Sequence, residues 1–165
     1  MKDLTNLPPR ASKWIQQYDL KKHIEGGYFS ETLIDPANRI GADKSQRALY
    51  TSILFMLYGD EVSHFHQLKS DELWYFHHGD PLDIVCILKD GSLKIHHLGT
   101  QVDQVLQVLV EKGTIFGSYV PSHGLSLVGC AVVPGFLYEE FRLFSKAELM
   151  VHYPEYSEQI EILGG

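Results

Sequence analysis

The sequence predicts an all-β fold with helical ends, and three observations carry that expectation. From Gly27 to about Val133, short runs rich in β-branched and aromatic residues follow one another. Most are divided by Gly, Asp or Pro, the pattern of an antiparallel sandwich or barrel. On either side of this block the apolar spacing changes to a helical period. With 165 residues, 44% apolar and 21% charged, the chain has the length and composition of one globular domain, so residues 1–165 are read as a single domain.

The elements follow in order. A first helix is expected from Ser12, a good N-cap, with Trp14, Ile15 and Tyr18 as its apolar stripe. Gly26 and Gly27 supply a turn into the first strand, because no phosphate-loop spacing follows them. The strands are YFSETLI at 28–34, LYTSILFML at 49–57, VSHFHQL at 62–68, ELWYFHH at 72–78, LDIVCIL at 82–88, SLKIHHL at 92–98, QVLQVLV at 104–110, TIFGSYV at 114–120 and LSLVGCAVV at 125–133. The polar stretch 35–46 is the expected long loop and a candidate pocket lid. Asp90-Gly91 marks a hairpin and Asp80-Pro81 another break. After Pro134 the pattern turns helical: Ser145 to Glu148 has capping-box form, and Pro154 should stop the helix. Residues 157–163 are expected as a last short helix or an extended tail.

Charge excludes some partners. The net charge of −7 comes from 21 acids against 14 bases with no basic cluster, so nucleic acid is not an expected partner. The start of the chain has no apolar signal region, and the longest apolar stretch, 53–58, is too short to span a bilayer. A cytoplasmic protein without membrane contact is therefore expected. Cys86 and Cys130 lie in apolar strand-like runs and are read as two reduced, buried thiols.

The chemistry concentrates between Ser63 and Gly79. On an extended strand alternate side chains share a face, so His64 and His66 are expected to point the same way. After the turn-like Lys69-Ser70-Asp71, Glu72 starts a second run whose parity partners are Trp74, Phe76 and His78. If both faces are interior, a carboxylate joins two imidazoles in an aromatic-walled cavity. The neighbours His77-His78 and His96-His97 point to opposite faces and are expected as exposed turn histidines, with His123 and Glu139-Glu140 also toward solvent.

The same segment resembles the first motif of the cupin superfamily, with Gly59, His64, His66, Glu72 and Gly79 in the motif places. One residue fewer precedes the first His and one more precedes Glu. In metal-binding cupins the two histidines and the carboxylate are ligands, and a third histidine comes from a second motif. Aligned on Glu111-Lys112-Gly113, that motif puts Phe116 in the histidine's place and Val120 in that of its Asn, so the implied metal site is incomplete. The blocks at 23–32, 70–82 and 126–141 are similar to one subgroup, small single-domain cupins of a domain of unknown function, related in fold to the epimerase of dTDP-rhamnose synthesis. That resemblance implies a double-stranded β-helix, or jelly roll, a homodimer and a central pocket. Tyr28, Glu31, His66, Glu72 and Trp74 keep the subgroup's residues, whereas Ser30 and Gln67 stand where arginines are common, which argues against a nucleotide-sugar ligand.

Three readings stay open at this stage. His64, His66 and Glu72 bind one divalent metal of the Zn, Fe, Ni or Mn kind. Alternatively no cofactor is present, and His66 as base, Glu72 as orienting partner or acid and His64 as assistant move a proton on a sugar-like metabolite, as an isomerase or epimerase would. In the third, the group is a satisfied buried network in a module that binds a small molecule without turnover. Tyr28, Glu31, Trp74 and Phe116 are the candidate substrate-binding residues in each case, the aromatics by stacking.

Overall fold

We describe the protein from a computed structural model covering residues 7–35, 39–40 and 46–165, and among these described residues turn residues and β-branched runs define thirteen strands. The strands are β1 (Lys21–Lys22), β2 (Tyr28–Ile34), β3 (Arg39–Ile40), β4 (Gln46–Arg47), β5 (Thr51–Tyr58), β6 (Ser63–Gln67) and β7 (Asp71–Gly79). They continue as β8 (Leu82–Ile87), β9 (Leu93–Leu98), β10 (Gln107–Val110), β11 (Ile115–Tyr119), β12 (Leu125–Val133) and β13 (Arg142–Leu143). One sheet has the order β1-β2-β5-β12-β7-β10 and the other β13-β6-β11-β8-β9, with β3 and β4 forming a separate pair. From β5 to β8 each connection carries the chain to the opposite sheet, and β9 to β12 repeat the exchange. This winding makes the jelly roll. Lys69-Ser70 is accordingly a crossover between sheets rather than a hairpin turn.

Alternation decides what each strand buries. In β5, Phe55 and Leu57 face inward onto Trp74, Ile84 and Phe116, while Met56 faces out beneath Ala11 and Trp14 of helix α1 (Pro9–Gln17). β8 shows no alternation because both its faces are covered: Ile84 and Cys86 enter the central core, and Val85 and Ile87 pack outward with Leu149, Ile160 and Leu163. Those last three belong to α2 (Lys146–His152) and α3 (Ser157–Leu163), which roof the five-stranded sheet. Each such fully buried aliphatic side chain stabilises the fold by about 1.5–3 kcal/mol.

Most elements match their sequence expectation. The hairpin at Asp90-Gly91 joins β8 to β9 with Gly91 at φ 85°. Ser145 caps α2, accepting from the Glu148 amide at 3.2 Å. Helix α1 begins at Pro9, earlier than Ser12, because a proline already holds the φ that a first helical residue needs. The stretch after Pro134 holds no α-helix until Lys146. It runs extended, makes a 3-10 turn at Tyr138–Glu140, and adds β13 to the edge of β6, so sheet pairing overrides the local pattern. Of the expected lid, residues 36–38 and 41–45 lie outside the described residues. Cys86 and Cys130 are free and buried. His77 and His78 are exposed, as is His123, which pairs with Asp60 at 2.7 Å. Of the other pair, His97 is exposed and bonded to Asp83, whereas His96 is half-buried. No helix among the described residues is long and apolar enough to cross a membrane.

Candidate functional site

Strand register builds one side of the site. Across the six-stranded sheet Glu31 pairs with Ile53 and Ile53 with Cys130, while Thr51 pairs with Val132 and Val132 with Glu72. These two rows lie on the concave face and line a cavity of about 100 Å³. The opposite wall is His66 on β6, and the segment 136–141 closes the mouth with Phe136, Tyr138 and Phe141. The closing segment is fixed in place. The Phe136 amide donates to Thr51 Oγ1 at 2.9 Å, and Arg47 donates from Nε to the Gly135 carbonyl (2.7 Å) and from Nη2 to Ser70 Oγ (2.7 Å). The same Arg47 Nη2 lies 2.8 Å from Glu140 Oε2 in an ion pair, so Glu140 serves the mouth of the cavity while Glu139 faces solvent.

The turn before β2 supplies the rest. Its backbone closes through His23 N to Gly27 O (3.1 Å) and Gly26 N to His23 O (3.2 Å). Gly26 sits at φ +107°, and a Cβ there would stand 1.9 Å from the Val62 carbonyl oxygen, so only glycine lets this turn press against the start of β6. The approach is locked by the His64 amide donating to the Glu25 carbonyl at 2.7 Å. It places the Glu25 carboxyl inside the protein, 7% exposed.

A buried polar cluster results. Ser63 Oγ donates to Glu25 Oε1 at 3.0 Å. Glu25 Oε2 lies 3.4 Å from His66 Nε2 and 3.6 Å from His23 Nδ1. His66 Nδ1 meets the His64 carbonyl at 2.8 Å and must donate to it, which leaves Nε2 with its lone pair. His23 Nδ1 accepts from the Glu25 amide at 3.3 Å. Glu25 Oε2 thus faces two acceptor nitrogens, an arrangement that favours a protonated carboxyl. Burial acts the same way, raising Glu25 against the opposing pull of His23, Ser63 and His64. Burial also lowers His23, and it takes His66 down to about 4 although the bond to the His64 carbonyl resists. Burial thus disfavours the charged form of all three groups, and Glu25 Oε2 stands close to both imidazoles without a short hydrogen bond to either.

Glu72 completes the site. It is 7% exposed, lines the cavity, and its Oε2 has no hydrogen-bond partner. Burial, reinforced by Glu25, pushes it up to about 8. The Trp74 indole opposes this rise only weakly, since its N–H makes no well-formed hydrogen bond. Cys130 beside it is held well above the usual thiol range by burial and then by Glu72 and Glu25, which keeps it an inert thiol.

The structure separates His64 from His66. Phe116 of β11 pairs with His66 and Ser118 with Ser63, so two steps on β11 oppose three on β6. This β-bulge shifts the alternation. Ser63 and His66, three apart, both reach Glu25, while His64 Nδ1 lies 3.2 Å from the Leu163 carbonyl and the ring borders a surface groove beside Tyr28 and Glu61. The expected metal trio His64, His66 and Glu72 therefore does not converge. Phe116 fills the space next to His66 with ring centroids 4.1 Å apart, and among the described residues no group of three or more His, Cys, Asp or Glu is placed to hold a metal ion. These residues do not fit the divalent metal the motif implied.

Of the other expected residues, Glu31 lines the cavity mouth. Tyr28 has the opposite parity on β2, so it lies outside the cavity under the Lys22 ammonium, 3.9 Å from the ring centroid. Trp74 and Phe116 belong to the core behind the site, both 1% exposed. Sequence reasoning missed His23, Glu25, Ser63 and Arg47. The block at 23–32 that carried the family resemblance contained the first two, and only the tertiary approach of the glycine turn shows their use.

A family-wide sequence profile described as Cupin superfamily (DUF985) matches residues 12–144. The chain belongs to this family. Among solved structures, this cupin is similar to a protein of Shewanella oneidensis, with 39% identity, TM-score 0.88, and 94% of this chain and 97% of that one covered. It is likewise similar to a hypothetical protein from Leishmania major, with 36% identity, TM-score 0.87, and coverage of 93% and 98%. Oxalate decarboxylase from Bacillus subtilis shares the fold alone, at 14% identity and TM-score 0.57 over 87% of this chain and 36% of that one. No curated protein matches the chain.

Proposed function

We propose that this cupin binds a small polar, sugar-like metabolite in the cavity and moves a proton on it, as a metal-free isomerase or epimerase does. The observation that carries this reading is the buried, unpartnered Oε2 of Glu72 in the same cavity as a neutral His66. A carboxylic acid held protonated near neutral pH donates to a substrate carbonyl oxygen and stabilises the enolate that forms. His66 lines the same cavity, and its Nε2, left with a lone pair, takes the proton from the neighbouring carbon. Glu25, 3.4 Å from that nitrogen, positions the imidazole. The acid must be protonated and the base neutral, so activity should fill the window between about 4 and about 8.

A second reading, a binding module without turnover, draws on the buried clustering of Ser63, Glu25 and His66, with Ser63 hydrogen-bonded to Glu25. Incubation with aldoses and ketoses in heavy water separates the two. Deuterium should enter the carbon next to the carbonyl, and Glu72→Gln should slow its entry about 100-fold or more. Tight binding of a sugar with no exchange over hours would favour the module. For partners, we propose a homodimer, supported by the outer edge of β2.

A further inference from the structure

Cavity charge narrows the ligand. Among the described residues that line the cavity there is no lysine or arginine, while Glu25, Glu31 and Glu72 all face it. Arg47, which braces the segment at the mouth, is committed to Glu140, Ser70 and the Gly135 carbonyl. A phosphate or carboxylate brought here would lose its hydration and find no counter-charge, which is the costly way to bury an ion. An uncharged ligand meets a matched set of partners: the lone pair of His66 Nε2, the unpartnered Glu72 Oε2 and the Thr51 hydroxyl. The apolar remainder of the wall, with Phe29, Phe136 and Phe141, suits a carbon skeleton.

We infer that the substrate of this site is an uncharged hydroxycarbonyl compound, unphosphorylated and without a carboxylate. The inference rests on the reading that the cavity is the ligand site, and it adds the ligand's charge.

The test uses pairs matched in carbon skeleton: dihydroxyacetone, glyceraldehyde and fructose against their phosphate esters. Thermal shift reads binding and deuterium entry in heavy water reads chemistry. At least one of the unphosphorylated compounds should raise the melting temperature and exchange at least tenfold faster than its ester. Equal or better binding of the esters overturns the inference while leaving proton transfer in place. Binding of the neutral compounds without exchange overturns the proposed chemistry and supports the inference. Binding of none of them overturns the inference. Glu72→Gln, a neutral isostere of the protonated acid, should keep the binding preference and lose the exchange; a switch of its preference to the esters would also overturn the inference.

Discussion

Glu72 and His66 show one physical cause acting in two directions. Burial penalises charge, so it raises a carboxyl and lowers an imidazole, and here it takes Glu72 to about 8 and His66 to about 4. The consequences for stability have opposite signs. Glu72 binds its proton more tightly when folded, so its contribution is present at low pH and is lost as pH rises from the ordinary carboxyl value to about 8. His66 is charged more readily when unfolded, so its contribution is lost as pH falls from about 6.5 toward about 4. Below about pH 6.5 the two slopes oppose, and above it only that of Glu72 remains. The melting temperature should therefore fall between about pH 6.5 and 8, and Glu72→Gln should flatten that fall. Thermal melts of the two proteins at matched ionic strength check this, and parallel curves would show that Glu72 is not the titrating group.

At the scale of the element, the bulge in β6 decides which side chains belong to the site. Ser63→Ala removes the hydroxyl that donates to Glu25 Oε1 and should cost about 1 kcal/mol in denaturant unfolding, with weaker ligand binding. His64→Ala acts outside the cavity, so ligand binding should stay within about twofold of wild type even if the contact with Leu163 is lost. Loss of binding in His64→Ala together with normal binding in Ser63→Ala would mean that β6 alternates without a bulge. The same element marks the boundary of what the sequence discloses. The nine main strands were legible because turn residues bound them and β-branched runs fill them, and Glu72 was legible because β7 alternates regularly from Asp71 to Phe76. His64 was misplaced because a bulge depends on the partner strand, and nothing within Ser63 to Gln67 announces it. Glu25 was invisible for a related reason: its role arises when Gly26 meets Val62, a contact between residues far apart in the chain. The short β13 likewise exists only because β6 offers an edge for it.

On the scale of the whole molecule, the two edges of the six-stranded sheet are unequal. β10 closes one side with four residues. On the other side β1 pairs only with Tyr28 and Phe29, so among the described residues the outer edge of β2 from Ser30 to Ile34 has no strand beside it. That stretch carries Leu33 and Ile34, more than half exposed, with Leu49 and Tyr50 also exposed next to the start of β5. An extended edge with apolar side chains is a template for another chain, and a protein that keeps one usually covers it. A second copy offers the same edge, and a two-fold axis lets each strand face its own image in a closed, self-complementary contact. The glutamate at the cavity mouth, Glu31, lies on this strand, so the contact would also stiffen one wall of the site. Light scattering should give twice the 18.8 kDa chain mass across micromolar concentrations. Ile34→Lys should shift the protein toward monomer without unfolding it, because that side chain is exposed in the isolated chain. A monomer mass at every concentration tested would remove β2 as an interface and leave its apolar edge without a partner of its own kind.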